Sequence, residues 1–328
     1  MHTHNRFRRT LLAASVVLLA AAAHAPLFAA GTAEPDTRTL VFADASWDSI
    51  LVHNRIAQLI IENGFDGYSV DFVPGDTIPL VTGLRRGDVH VMMESWHNNW
   101  QEVYDEATAT GELVNLGENL PEGPQGWYVP TYVMKGDPGR GIDAVAPDLR
   151  SIADLPRYWE LFRDPESPRY GRILVGPPGW AITEASEQML IDAGLDEYYT
   201  AFLPGSGEAL AASMVSAYER GEPWIGYYWE PTWVLGKLDM TLLPGTELQT
   251  GEVDILVWSG LPDLAPDVIE FLTAYATDLD VNNAMLAAMD EENLSAEETA
   301  RWFLRNYEGV WTQWVSPQVS ERVRTAVQ

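Results

Sequence analysis

Four tryptophans share one local context. Trp47 follows the run VFADAS, Trp96 follows VMMES, Trp180 follows ILVGPPG, and Trp229 closes WIGYYW. Each apolar run reads as a buried strand, and each indole then falls at the strand's carboxyl end beside Ser, Gly or Pro. Such positions are loop mouths rather than core. Indole faces around a shared volume suit a cation without N–H donors, a quaternary ammonium held by cation–π attraction. The other rings have simpler explanations. Trp159 and Trp302 lie in amphipathic helical patterns and Trp258 in a strand, where core packing accounts for them.

Other chemistries find little support. The 328 residues contain no cysteine, which excludes disulfides, thiolate metal sites and cysteine nucleophiles. Three of the six histidines (His2, His4, His24) lie near the N-terminus, and His53, His90 and His97 are too dispersed for a ligand cluster. His97 is expected at the surface. No nucleophile elbow, P-loop or HExxH is present. No cofactor and no metal are expected. With 20 basic against 48 acidic residues, and a formal charge of −28, nucleic acid is a poor partner. Rich Trp, Asp and Glu also fit a periplasmic glycosidase, with rings stacking on sugars and paired carboxylates performing acid–base work. No such pair stands out. A sensory binding module is a third reading.

The elements that must position the four rings alternate. Strands are predicted at 39–44, 68–73 and 89–93, with helices at 50–61 and 78–86 between them, the order of a largely parallel sheet. An extended segment at 127–133 crosses to a second unit, and 136–149 is a loop. That unit has helices at 152–162, 183–193 and 208–219, with strands at 172–175 and 224–229. A connector at 241–251 returns to a strand at 254–258. Helices at 264–277, 281–289 and 295–306 follow, the last opening on the capping-box sequence SAEE. Two connectors between two units place lobe one at 37–132 plus 245–328 and lobe two at 133–244. The ligand is expected in the cleft between them. Tyr227 and Tyr228 alternate, so at most one faces that cleft.

Residues 1–30 read as an export leader: Arg6, Arg8 and Arg9, an apolar run from Leu11 to Ala23, then small residues. Cleavage near Ala29 and a periplasmic destination are expected.

The segments GPPGWAITE (176–184), YYWEPTW (227–233), ESW (94–96) and SWDS (46–49) resemble periplasmic substrate-binding proteins of ABC importers, in the glycine betaine/proline betaine/choline family. The resemblance implies an α/β, two-lobed, type II-like fold hinged around an aromatic cage, no catalysis, a likeness to monomeric carriers, and an ABC permease as partner. It implies cage roles for Trp96, Trp180 and Trp229, and for Trp47 as in the choline-binding branch. Where betaine-binding relatives carry a histidine four positions after the cage Trp, this chain has Trp100, so choline and trimethylamine N-oxide stand beside glycine betaine as expected ligands. Further candidates are Asp48 and Glu230, beside two cage residues and able to accept from a ligand hydroxyl. Ala181 and Ile182 offer backbone N–H groups at a helix start, and Trp127 lies near the hinge.

Overall fold

A computed structural model of the chain describes residues 37–327. The expected leader and its cleavage position lie outside the described residues.

Among the described residues nine strands form one hydrogen-bonded sheet: β1 (Arg38–Ala45), β2 (Tyr68–Gly75), β3 (Val91–Ser95), β4 (Leu113–Pro130), β5 (Gly171–Leu174), β6 (Tyr199–Phe202), β7 (Gly226–Trp229), β8 (Met240–Leu242) and β9 (Leu248–Trp258). The spatial order is β2-β1-β3-β9-β4-β7-β5-β6, with β8 on β4. The helices that matter below are α1 (Asp48–Gly64), α2 (Thr77–Arg86), α3 (Gln101–Ala109), α4 (Thr131–Lys135), α5 (Ala181–Asp192), α6 (Gly207–Arg220), α7 (Trp233–Lys237), α8 (Leu261–Leu264), α9 (Pro266–Ala274), α10 (Leu279–Glu291) and α11 (Ala296–Asn306).

The two ends of the sheet are α/β lobes. At one, β1 pairs in parallel with β2 and β3. At the other, β5 pairs in parallel with β6 and β7. The middle departs from the expected parallel sheet: β9 runs antiparallel to β3 and β4, and β4 antiparallel to β7. Pairing there is between long strands that cross from one lobe to the other, not within a βαβ unit. The sequence hid β4 because ENLPEGPQG has the Gly and Pro content of a loop. The ladder tolerates these residues through register shifts along β4 and β9. Two other expectations change. Residues 131–133 are not extended but open α4, because Pro130 ends the strand. The helix at 152–162 is only a 3-10 turn over Ile152–Arg157, interrupted by Pro156. The connector at 241–251 includes the end of β8 and the start of β9.

Apolar clusters follow the two lobes. One gathers Trp127, Tyr132, Ile173, Leu210 and Trp224, and another Phe42, Ile56, Ile60, Phe271 and Trp311. Trp159, Trp258 and Trp302 are half-buried against these clusters rather than inside them. The capping box at Ser295 and Glu298 forms as its spacing predicts, each side chain bonding the other's backbone N–H.

His53 of α1 joins three elements inside the first lobe. Its Nε2 lies 2.9 Å from Asn282 Oδ1 and its Nδ1 2.7 Å from Tyr275 Oη. The Asn282 amide nitrogen is committed to Thr277 and to the Asp278 carbonyl, so Nε2 carries the imidazole proton and Nδ1 accepts from the tyrosine. Burial lowers the His53 pKa to about 4. The unfolded chain therefore binds this proton at higher pH than the native one. Stability contributed by neutral His53 is complete above about pH 6.5 and is lost as pH falls toward 4. The loss should reach about 3 kcal/mol, read as a fall in urea midpoint across that window that is much reduced in His53→Gln.

Candidate functional site

The four tryptophans stand at the carboxyl ends of β1, β3, β5 and β7 or in the turn that follows, as open α/β sheets place their ligand loops. Trp47 ends the β1 turn and is the N-cap of α1. Trp180 is the N-cap of α5. The turn before it needs Gly179, whose φ is +93° and where a Cβ would lie 2.7 Å from Asp76 Oδ2. Gly123 on β4 matters for a related reason: a Cβ there would lie 2.3 Å from the Trp96 ring.

These turns bring all four indoles to one cavity, completed by Thr77, Met92, Glu94, Asn99, Ala181, Ile182 and Tyr227. The Trp180 ring centroid is 5.8 Å from that of Trp47 and 5.1 Å from that of Trp229, with interplanar angles of 75° and 78°. Near-perpendicular rings of this kind form walls rather than a stack. Tyr227 lies parallel to Trp229 at 5.8 Å. The cavity volume is ≈ 30 Å³. No Lys, Arg or His is among the lining residues.

Glu94 sits at the centre of the polar contacts. It is 2% exposed, and its Oε1 accepts from Trp47 Nε1 at 2.8 Å, Trp96 Nε1 at 2.9 Å and Ser49 Oγ at 3.0 Å. Its Oε2 is buried without a hydrogen-bond partner. Burial raises the Glu94 pKa, and the donated hydrogen bonds from Trp96, Ser49 and Trp47 offset this only in part. Trp180 Nε1 is held separately, by Ser46 Oγ at 3.1 Å.

A second cavity of ≈ 410 Å³ abuts the first across Trp47 and Trp229. Asp48, Glu208, Tyr228 and Trp233 line it. Of the two, only the smaller receives all four indoles. The alternation of Tyr227 and Tyr228 is as expected, but each side of β7 faces a cavity, Tyr227 the smaller and Tyr228 the larger.

The remaining candidates separate. Ala181 and Ile182, the first residues of α5, line the four-tryptophan cavity. Asp48 lines the neighbouring one, where burial and then Glu208 raise its pKa. Trp100 packs against Tyr104 in the core at 5.9 Å, and it borders a separate outer recess rather than the indole cavity. Trp127 is fully buried, its Nε1 donating to Ser186 Oγ at 2.7 Å. Glu230 lies outside the indole cavity, and burial raises its pKa. His97 is not a surface residue: it stacks on Tyr104 at 4.1 Å and bonds Asp254 Oδ2 at 3.0 Å. Sequence reasoning overlooked Glu94, Thr77, Met92 and Asn99 as lining residues. A signal for Glu94 was present, an acid inside the otherwise apolar strand VMMES whose residues are all buried.

Residues 38–306 match the family model described as the substrate binding domain of ABC-type glycine betaine transport systems. A trimethylamine N-oxide-binding protein of Pelagibacter ubique is 24% identical over 291 residues, covering 84% of this chain and 90% of that protein. The glycine betaine/L-proline-binding protein of Borrelia burgdorferi superposes with a TM-score of 0.72 at 19% identity, over 87% of this chain and 100% of that one. An ABC-transporter choline-binding protein in complex with choline gives 0.71 at 17% identity, over 88% and 98%. At these identities the structural likeness establishes the two-lobed fold. The match over most of the chain establishes the family: this protein belongs to the substrate-binding domains of ABC-type glycine betaine transport systems.

Proposed function

We propose that the protein captures a small methylated onium solute in the four-tryptophan cavity and delivers it to an ABC permease. One observation carries this reading: indoles from four strand ends converge on one buried volume with no basic side chain in its lining. A cation–π face contributes roughly 0.5–2 kcal/mol, so four supply on the order of 2–8 kcal/mol. Micromolar binding takes about 8 kcal/mol, which leaves a part for polar contacts. The absence of Lys, Arg and His from the lining disfavours a ligand whose carboxylate projects from the onium centre. Trp100, in the place of a histidine that the family resemblance associates with betaine carboxylates, is turned into the core. Among glycine betaine, choline and N-oxides, these features disfavour glycine betaine, and the Pelagibacter relative supports an N-oxide over choline.

The mechanism is hinge closure. Trp47 of one lobe meets Trp180 of the other edge to face, and Trp180 meets Trp229, so the lobes (37–132 plus 245–328, and 133–244) part to admit the ligand and close to complete the indole walls. Closure excludes water, which strengthens the cation–π terms. The carrier acts as a monomer in the periplasm, after cleavage near Ala29. A glycosidase is less well supported: Glu94 is the one carboxyl lining this cavity, and sugar hydrolysis generally takes two.

Titration with trimethylamine N-oxide, choline, glycine betaine and carnitine, followed by tryptophan fluorescence, should give saturable quenching or a spectral shift with the N-oxide the tightest. No response to any of them would defeat the reading. Trp180→Ala and Trp229→Ala should each weaken binding at least tenfold with an unchanged far-ultraviolet circular dichroism spectrum; loss of the fold would instead mark these rings as core.

A further inference from the structure

We infer that Glu94 is the specificity-determining residue of the cavity, acting as a neutral carboxylic acid whose Oε2–H donates to the oxygen of an N-oxide ligand. This rests on the onium reading above and adds the ligand's second anchor. The geometry of the carboxyl assigns the two oxygens different work. Oε1 already accepts from Trp47, Trp96 and Ser49, so it is the acceptor oxygen and the proton of the neutral acid belongs on Oε2. Oε2 is buried without a protein partner, on a residue that lines the cavity. An N-oxide presents methyl groups to the indoles and one oxygen with lone pairs only. A buried O–H is its complement, and a carboxylate would repel it.

The surroundings favour the neutral form. The cavity lining contains no Lys, Arg or His, and Tyr227 of β7 is its other ionisable group, held protonated by burial. Asp76 precedes α2 and Asp48 opens α1 beside Ser49, both acidic. Asp48 faces the adjoining cavity with Glu208 of α6. Glu184, in the first turn of α5, borders the outer recess. Behind Glu94, burial keeps Tyr275, after α9, protonated, and His53, bonded to Tyr275, is neutral above about pH 4. On β4, the neutral Asn119 donates to the Met93 carbonyl. Among the described residues nothing positive lines the cavity to stabilise the carboxyl's ionised form.

The same arrangement separates ligands by charge. Tetramethylammonium, with a methyl group where the N-oxide has oxygen, offers no acceptor and gains from an ionised Glu94. Its affinity should therefore rise with pH while that for trimethylamine N-oxide falls, because N-oxide binding takes up the proton.

The deciding variant is Glu94→Gln, which keeps an acceptor oxygen for the two indoles and Ser49 and places an amide N–H at the Oε2 position. Calorimetric titration with trimethylamine N-oxide, carried upward from about pH 5, should show wild-type affinity decreasing as Glu94 ionises. Glu94→Gln should bind within about threefold of the wild type's low-pH affinity, without the pH slope, and Glu94→Ala should lose at least tenfold. Tenfold weaker N-oxide binding by folded Glu94→Gln, or wild-type affinity that rises with pH, overturns the assignment. If Glu94→Gln does not fold, the opposed pH slopes of the two ligands on the wild type decide alone. Failure of every onium solute to bind the wild type would instead defeat the cavity reading itself.

Discussion

One buried carboxyl oxygen organises this site. Oε1 of Glu94 accepts from two indoles and a serine hydroxyl, linking the end of β3 to the start of α1. An indole ring alone has little to fix its rotation about the side chain, but an N–H anchored to a common acceptor sets both the plane and the tilt of Trp47 and Trp96. Such a network repays the burial of a carboxyl only when its bonds are made together. Trp180 depends on the same turn, through Ser46 rather than Glu94. Three of the four rings are thus oriented by polar contacts at their edges, leaving their apolar faces for the cavity. Trp229 is set instead by packing against Tyr227, Tyr228 and Trp180.

The sheet makes this convergence possible. Parallel strands at each end of the path present their carboxyl ends toward a shared cleft, and the antiparallel pairing of β4 with β9 and β7 joins the ends into one hydrogen-bonded framework. Long crossing strands are also the elements through which two lobes can rotate without separating. Their Gly and Pro residues and shifted registers suit bending better than a regular ladder would. The acidity of the chain has no comparable explanation in the site, since much of it is exposed and screened within about 8 Å at physiological salt.

The outer strands, α1, α2, α5, α6, α10 and the capped α11 were legible because their apolar periodicity and caps are local properties of the chain. So were the four tryptophans, whose shared position after buried runs needs only strand periodicity and turn residues. What could not be read was long-range. Most of β4, before the extended segment from Trp127, carried no strand signal, because its partners lie about a hundred residues or more away and it is their hydrogen bonds, not its own propensity, that make it a strand. The three tryptophans assigned to the core by helical or strand pattern are half-buried, since periodicity gives the face of an element but not how far a neighbour covers it.

Sequence by itself determined the kind of chemistry: rings in place of nucleophiles, metal ligands or phosphate loops, on an alternating α/β chain. Tertiary structure decided which polar groups share the cavity with those rings. It turned Trp100 and Trp127 into the core, placed Asp48 in the adjoining space, and brought Glu94 against two indoles. The physical reason is that a side chain's ionisation and its free lone pairs are set by what surrounds it in three dimensions. An acid in a buried strand is visible in the sequence, but whether its oxygens are paired, and by what, emerges only when distant segments pack around it.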